Sequence, residues 1–324
     1  MGDLSVWQNS LTRRGGSSHA VRRPQASAPE RENNLCAANL PWADVSRQKN
    51  TSNNLSGVLS MIKKTLFSLC IGGLLTASGM AVADPDDVDG GSRAACKGLP
   101  TQAQLKAALT GAQGTGNGGF GLHMWGSMVN RDGVVCAVAF TGANRGSEWP
   151  GSRVISAQKA NTANSFSLPG LSLSTANLWA AVQPGGSLYG LQHSNPVNTA
   201  VAYKGPSSNY GQVNDPMVGG KIGGVNVFGG GLALYNAKKE LIGAIGVSGD
   251  TSCADHNIAW RTRKNLNLDF VPGGVGPAGR ADNINYQSIV LVPSLQNDFS
   301  HPICKIAGVD GVSGISALLP PTQP

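Results

Sequence analysis

The segment Met61-Ile-Lys-Lys-Thr-Leu-Phe-Ser-Leu-Cys-Ile-Gly-Gly-Leu-Leu decides how much of this 324-residue chain is available to fold. Lys63 and Lys64 make a basic start, Leu66 to Leu75 an apolar stretch, and Ala81-Val82-Ala83 a small-residue cleavage signature before Asp84. That is the layout of a secretory signal. The apolar stretch is too short to span a bilayer, which needs about 20 residues. A buried helix is the competing reading, but it would have no use for the Ala-x-Ala ending. The sequence therefore predicts a signal peptide over 61–83, cleaved after Ala83, and a periplasmic or extracellular location. Residues 1–60 are rich in Arg, Ser and Asn and lack periodicity. They are expected to be a non-native or disordered leader, with translation from Met61 favoured because the signal is complete without them. Arg13-Arg14 has no hydrophobic stretch within reach, so twin-arginine export is not expected.

Setting residues 1–83 aside changes the electrostatics. They hold nine of the 25 Lys+Arg and four of the 18 Asp+Glu. The remainder has 16 basic and 14 acidic residues and no basic run. A nearly neutral domain has no electrostatic footprint for nucleic acid, and no nucleic-acid partner is expected.

Four cysteines remain after the signal: Cys96, Cys136, Cys253 and Cys304. An even set in an exported chain reads as two disulfides with three connectivities. Neighbours in sequence are the expected pairs, Cys96 with Cys136 and Cys253 with Cys304. A zinc site competes, but no C-x-x-C pair is present. Cys70 follows Leu69 inside the apolar stretch, which does not suit lipid attachment.

Residues 84–98 are acidic and Gly-rich and are expected to be a flexible mature N-terminus. From Leu99 a helix is predicted, with Leu105, Ala108 and Leu109 inward, ending in the glycine run from Gly111 to Gly121. A hairpin follows: Trp125–Val129, the turn Asn130-Arg131-Asp132-Gly133, then Val134–Phe140. Arg153–Phe166 reads as a second helix with Val154, Ala157, Ala160 and Ala163 toward the core. Leu168 to about Gly220 reads as loops around one helix at Thr175–Val182. Val225–Phe228, Leu232–Tyr235 and Leu241–Val247 read as strands. A third helix is predicted over Cys253–Lys264, capped by Thr251 or Ser252, with Asp255 in its first turn. Residues 266–324 read as a C-terminal tail strapped on through Cys304, with one strand at Ser288–Val292. The pattern predicts an α+β fold: a single antiparallel sheet flanked by helices, with a loop-rich insertion.

Two blocks carry a family resemblance. The first is Val129-Asn-Arg-Asp-Gly-Val-Val-Cys-Ala-Val-Ala-Phe with Ser156-Ala-Gln-Lys-Ala-Asn-Thr-Ala-Asn-Ser-Phe. The second is Gly223-Gly-Val-Asn-Val with Leu241-Ile-Gly-Ala-Ile-Gly-Val-Ser-Gly-Asp-Thr-Ser-Cys-Ala-Asp-His-Asn-Ile-Ala. Over residues 99–265 the chain resembles the GlcG/HbpS-like haem-binding family. The resemblance implies a sheet of about five strands, homo-oligomerisation, haem as a cofactor, and in some relatives a membrane sensor partner. It brings no universal catalytic residue. His256 stands where an acidic residue is common, and the 168–220 loops and the tail are extra.

The expected ligand site gathers near the second block. The Ser248–Gly249 turn joins a strand to a helix start, where free N–H groups can hold an anion such as a haem propionate. Lys159 would add positive charge, and Thr162, Gly224 and Asp255 would line the same site. Haem iron needs an axial His, Met, Cys or Tyr; His256 is the first candidate metal ligand and His193 the second. The bland alternatives are that the glycines serve tight packing, that Lys159 is a solvated helix residue, and that the histidines are ordinary. H-E-x-x-H, G-x-S-x-G and P-loop patterns are absent, and the G-x-G-x-x-G at Gly114–Gly119 follows a helix rather than a strand. The reading is of a secreted small-molecule binding protein that scavenges or senses haem or a related tetrapyrrole, rather than an enzyme. The alternative is a periplasmic enzyme or accessory subunit acting on a small organic acid.

Overall fold

The computed structural model describes residues 94–286, 298–304 and 314–324. The leader, the signal peptide, most of the mature N-terminus and the strand expected at Ser288–Val292 lie outside the described residues.

Helix α1 (Gln102–Gln113) begins where Thr101 Oγ1 accepts the Gln104 N–H while the Gln104 side chain reaches back to the Thr101 N–H, a reciprocal cap. Strands β1 (Trp125–Asn130) and β2 (Val135–Phe140) form the expected hairpin. Asn130 Oδ1 accepts the N–H groups of Asp132 and Val134, and Gly133 takes the left-handed conformation the turn requires. Helix α2 (Ser152–Ser165) follows. The 168–220 section is loops with two short helices, α3 (Leu191–Ser194) and α4 (Thr199–Ala202). Then come β3 (Gly231–Tyr235), β4 (Leu241–Ser248) and α5 (Ser252–Asn265), the last capped by Thr251.

Among the described residues the sheet is antiparallel with four strands in the order β2-β1-β4-β3. Period-two alternation sends its side chains to two helical layers. Met128, Leu232, Leu234, Ile245 and Val247 pack with Leu105 and Leu109 of α1 and Ile258 and Trp260 of α5. Val129, Val138 and Ala244 face α2, which answers with Val154, Ala157, Ala160 and Ala163.

Two expectations are corrected. Val225–Phe228 is not a strand: Gly223 and Gly224 turn the chain at positive φ, and the Asn226 N–H is taken by Thr162 Oγ1 instead of a ladder. Thr175–Val182 is two short 3₁₀ turns, Thr175–Leu178 and Ala180–Val182, rather than one helix.

Both expected disulfides are present, Cys96–Cys136 and Cys253–Cys304. The second ties the tail to the start of α5. The tail is held again by Asp282, which makes a two-pronged buried ion pair with Arg263 of α5. Two residue pairs, Asn285–Tyr286 (β5) and Ser300–His301 (β6), form a small parallel ladder beside it.

Candidate functional site

The turn from β4 into α5 is closed by the chain's own carboxylates. Asp250 accepts N–H groups from Phe120, Leu122 and Thr251, and Asp255 Oδ1 accepts the Asp250 N–H at 2.8 Å. An external anion at the Ser248–Gly249 turn would meet these negative groups. Gly249 packs on the backbone carbonyl of His123 and on Met124, so its missing side chain serves close packing. Ser248 is buried beside it.

Lys159 is not a solvated helix residue. It is fully buried on α2, and its Nζ donates to Asp255 Oδ2 at 2.7 Å and to the Val247 carbonyl at 3.0 Å. Burial pushes the Lys159 pKa down and the Asp255 pKa up to about 6, in each case against the pull of the partner charge. Thr162 Oγ1 donates to the Gln158 carbonyl and accepts the Asn226 N–H. Gly224 accepts from the Asn161 side chain through its carbonyl. Lys159, Asp255, Thr162 and Gly224 thus tie α2 to β4, α5 and the 221–230 segment, with their polar groups already satisfied.

His256 differs from all of them. The ring is fully buried, and neither Nδ1 nor Nε2 makes a well-formed hydrogen bond, although the Asn283 side chain acts on the ring. Trp260 lies 6.1 Å away between ring centroids, and Gly229 covers the Cβ. Desolvation is the largest influence on its pKa and holds it down to about 3; Asp282 and the Asn283 side chain oppose, and Arg263 and His301 assist. The imidazole is therefore neutral over the physiological range, with a lone pair available to a metal. His193, the second candidate, is exposed on α3. The structure does not place it with Lys159 and Asp255.

Sequence reading missed the buried Arg263–Asp282 and Arg153–Asp215 pairs and the contact of Ser252 with His301. Partners 19, 62 and 49 residues apart leave no periodic signal. Two open surface grooves, at Pro100–Gln104 with Leu266 and at Pro272–Gly279, are lined by none of the expected site residues.

A family model described as haem degrading protein HbpS-like matches residues 121–263, the sheet and its two flanking helices α2 and α5. The match spans less than half of the chain and is a similarity of that segment to the family. No curated protein matches the chain. Solved structures similar to it include the following three. A PduOC:heme complex is 23% identical, covering 51% of this chain and 91% of that one, with TM-score 0.36. Protein ORFY of Klebsiella pneumoniae is 27% identical, covering 51% and 87%, with TM-score 0.34. HbpS is 16% identical, covering 61% and 97%, with TM-score 0.32. The matched segment contains every residue of the expected ligand site, while the second disulfide reaches outside it to Cys304.

Proposed function

We propose that the chain is an exported small-molecule binding protein whose ligand is haem or a related tetrapyrrole, which it scavenges or reports to a membrane sensor. It works as a homo-oligomer. The observation that carries the reading is His256: a buried, neutral imidazole with neither nitrogen in a well-formed hydrogen bond, inside the segment similar to the HbpS-like family. Buried polar groups are normally paired, and one left without a well-formed bond calls for an explanation, a bound ion among them. When bound, haem would supply iron-centred redox and oxygen chemistry, and His256 would hold the iron. Lys159 does not fit a propionate, because Asp255 already takes it, and the N–H groups of Asp250 and Thr251 just after the Ser248–Gly249 turn are taken by Asp255 and Asp250.

A haemin titration of the oxidised, full-length chain tests the proposal through the Soret absorbance. A saturable, stoichiometric shift that is weakened in His256→Ala supports it. A shift kept in His256→Ala and lost in His193→Ala moves the site to the exposed α3. A shift no larger than that of an unrelated protein rejects haem as the ligand.

A further inference from the structure

Ser252 and His301 lie 49 residues apart in sequence, yet Ser252 Oγ and His301 Nε2 are 2.8 Å apart. The other ring nitrogen, Nδ1, is 2.7 Å from the Pro302 carbonyl. A carbonyl only accepts, so Nδ1 carries the proton and Nε2 is the bare acceptor for the Ser252 hydroxyl. Ser252 Oγ also accepts the Gly229 N–H at 2.6 Å. The hydroxyl is thereby aimed at a base that is itself oriented by a third group. His301 is buried, whereas Ser252 at the first position of α5 keeps partial access to solvent. The Cys253–Cys304 disulfide lies one residue after the serine and three after the histidine, clamping both strands of chain at the contact.

We propose that Ser252 and His301 form a nucleophile–base pair with acyl-transfer activity toward activated esters, separate from the haem reading. A nucleophile hydrogen-bonded to an oriented base is the arrangement this chemistry needs. Ser252 Oγ attacks the ester carbonyl carbon while its proton passes to His301 Nε2. The Ser252 N–H, in the first turn of α5 where no intrahelical acceptor exists, is the donor for the carbonyl oxygen. The carbon–oxygen bond to the leaving group breaks, and the leaving oxygen takes the proton from His301. Water then hydrolyses the acyl-Ser252 ester, again through His301, releasing the acid. Burial holds the His301 pKa down to about 4, with the Pro302 carbonyl opposing and Lys159 assisting. A base this weak limits the substrate class to acyl groups with good leaving groups, such as aryl esters.

The test uses the oxidised full-length chain with a fluorophosphonate probe and 4-nitrophenyl acetate, read by peptide mass and nitrophenolate release. The expected result is an adduct on Ser252 forming on the order of 100-fold faster than on Ser147, an exposed serine with no histidine partner. Ser252→Ala abolishes that adduct and the ester turnover, and His301→Gln slows both by a similar factor. Cleaving Cys253–Cys304 slows labelling too. Absence of a Ser252 adduct in the folded wild-type protein overturns the proposal. So does labelling at an unchanged rate in folded His301→Gln. If that variant does not fold, the wild-type comparison of Ser252 with Ser147 decides.

Discussion

Lys159 Nζ on α2 and Asp255 Oδ2 on α5 are 2.7 Å apart, and both side chains are buried. This pair joins the two helices that lie on opposite faces of the sheet. Its atoms occupy the place where sequence suggested ligand contacts.

Breaking the pair strands a charge without solvent. Asp255→Asn or Lys159→Met is expected to cost about 3–5 kcal/mol, the usual penalty for an uncompensated buried ion. The double change Lys159→Met with Asp255→Leu recovers much of that loss. Urea unfolding of the two single variants and the double variant checks this; additive losses would show that the charges are not coupled.

The glycines of the Gly243-Ala-Ile-Gly-Val-Ser-Gly249 run pack rather than bind. A Cβ on Gly246 would collide with the Ser156 carbonyl oxygen and crowd the Ala160 nitrogen of α2. Gly246→Ala is therefore expected to destabilise the fold by about 1–3 kcal/mol, the range for overpacked cores. Thermal unfolding within experimental error of the wild type would mean that α2 can move off the sheet freely.

Acid stability follows from His256. Its folded-state pKa is held near 3 against an ordinary 6.5, so between those values the unfolded chain binds a proton that the folded chain does not. Stability falls as pH drops through that window, by about 1.4 kcal/mol per unit. His301, held near 4, acts in the same direction. Asp255, raised to about 6, acts oppositely between 6 and its ordinary 3.8, because there it is the folded state that binds the proton. The difference between wild type and His256→Gln isolates one contribution. The wild-type urea midpoint should fall more steeply between pH 6.5 and 4, and equal slopes would contradict a buried neutral imidazole.

Each disulfide closes a long loop, with its cysteines 40 and 51 residues apart. The loop-closure relation gives about 4 kcal/mol for each. Replacing Cys253 and Cys304 by serine is expected to lower stability by roughly that amount and to release the tail first. Hydrogen exchange at residues 298–304 reports the release; unchanged protection there would show that the Asp282–Arg263 pair suffices.

What the sequence by itself determined is the local grammar. The Thr251 cap, the Asn130–Gly133 turn and the inward faces of α1 and α2 depend on groups within a few residues of each other. They were legible for that reason, and so were the α+β class and the two disulfides between neighbouring cysteines. Only the tertiary structure decided which buried groups meet. Lys159 finds Asp255 across 96 residues, Ser252 finds His301 across 49, and His256 makes no well-formed hydrogen bond. Val225–Phe228 has strand-like residues but no ladder, because Thr162 on α2 takes its hydrogen bond. Such outcomes depend on how helices dock on the sheet and how much water they exclude, and burial then decides whether a lysine, an aspartate or an imidazole is charged, paired or left available.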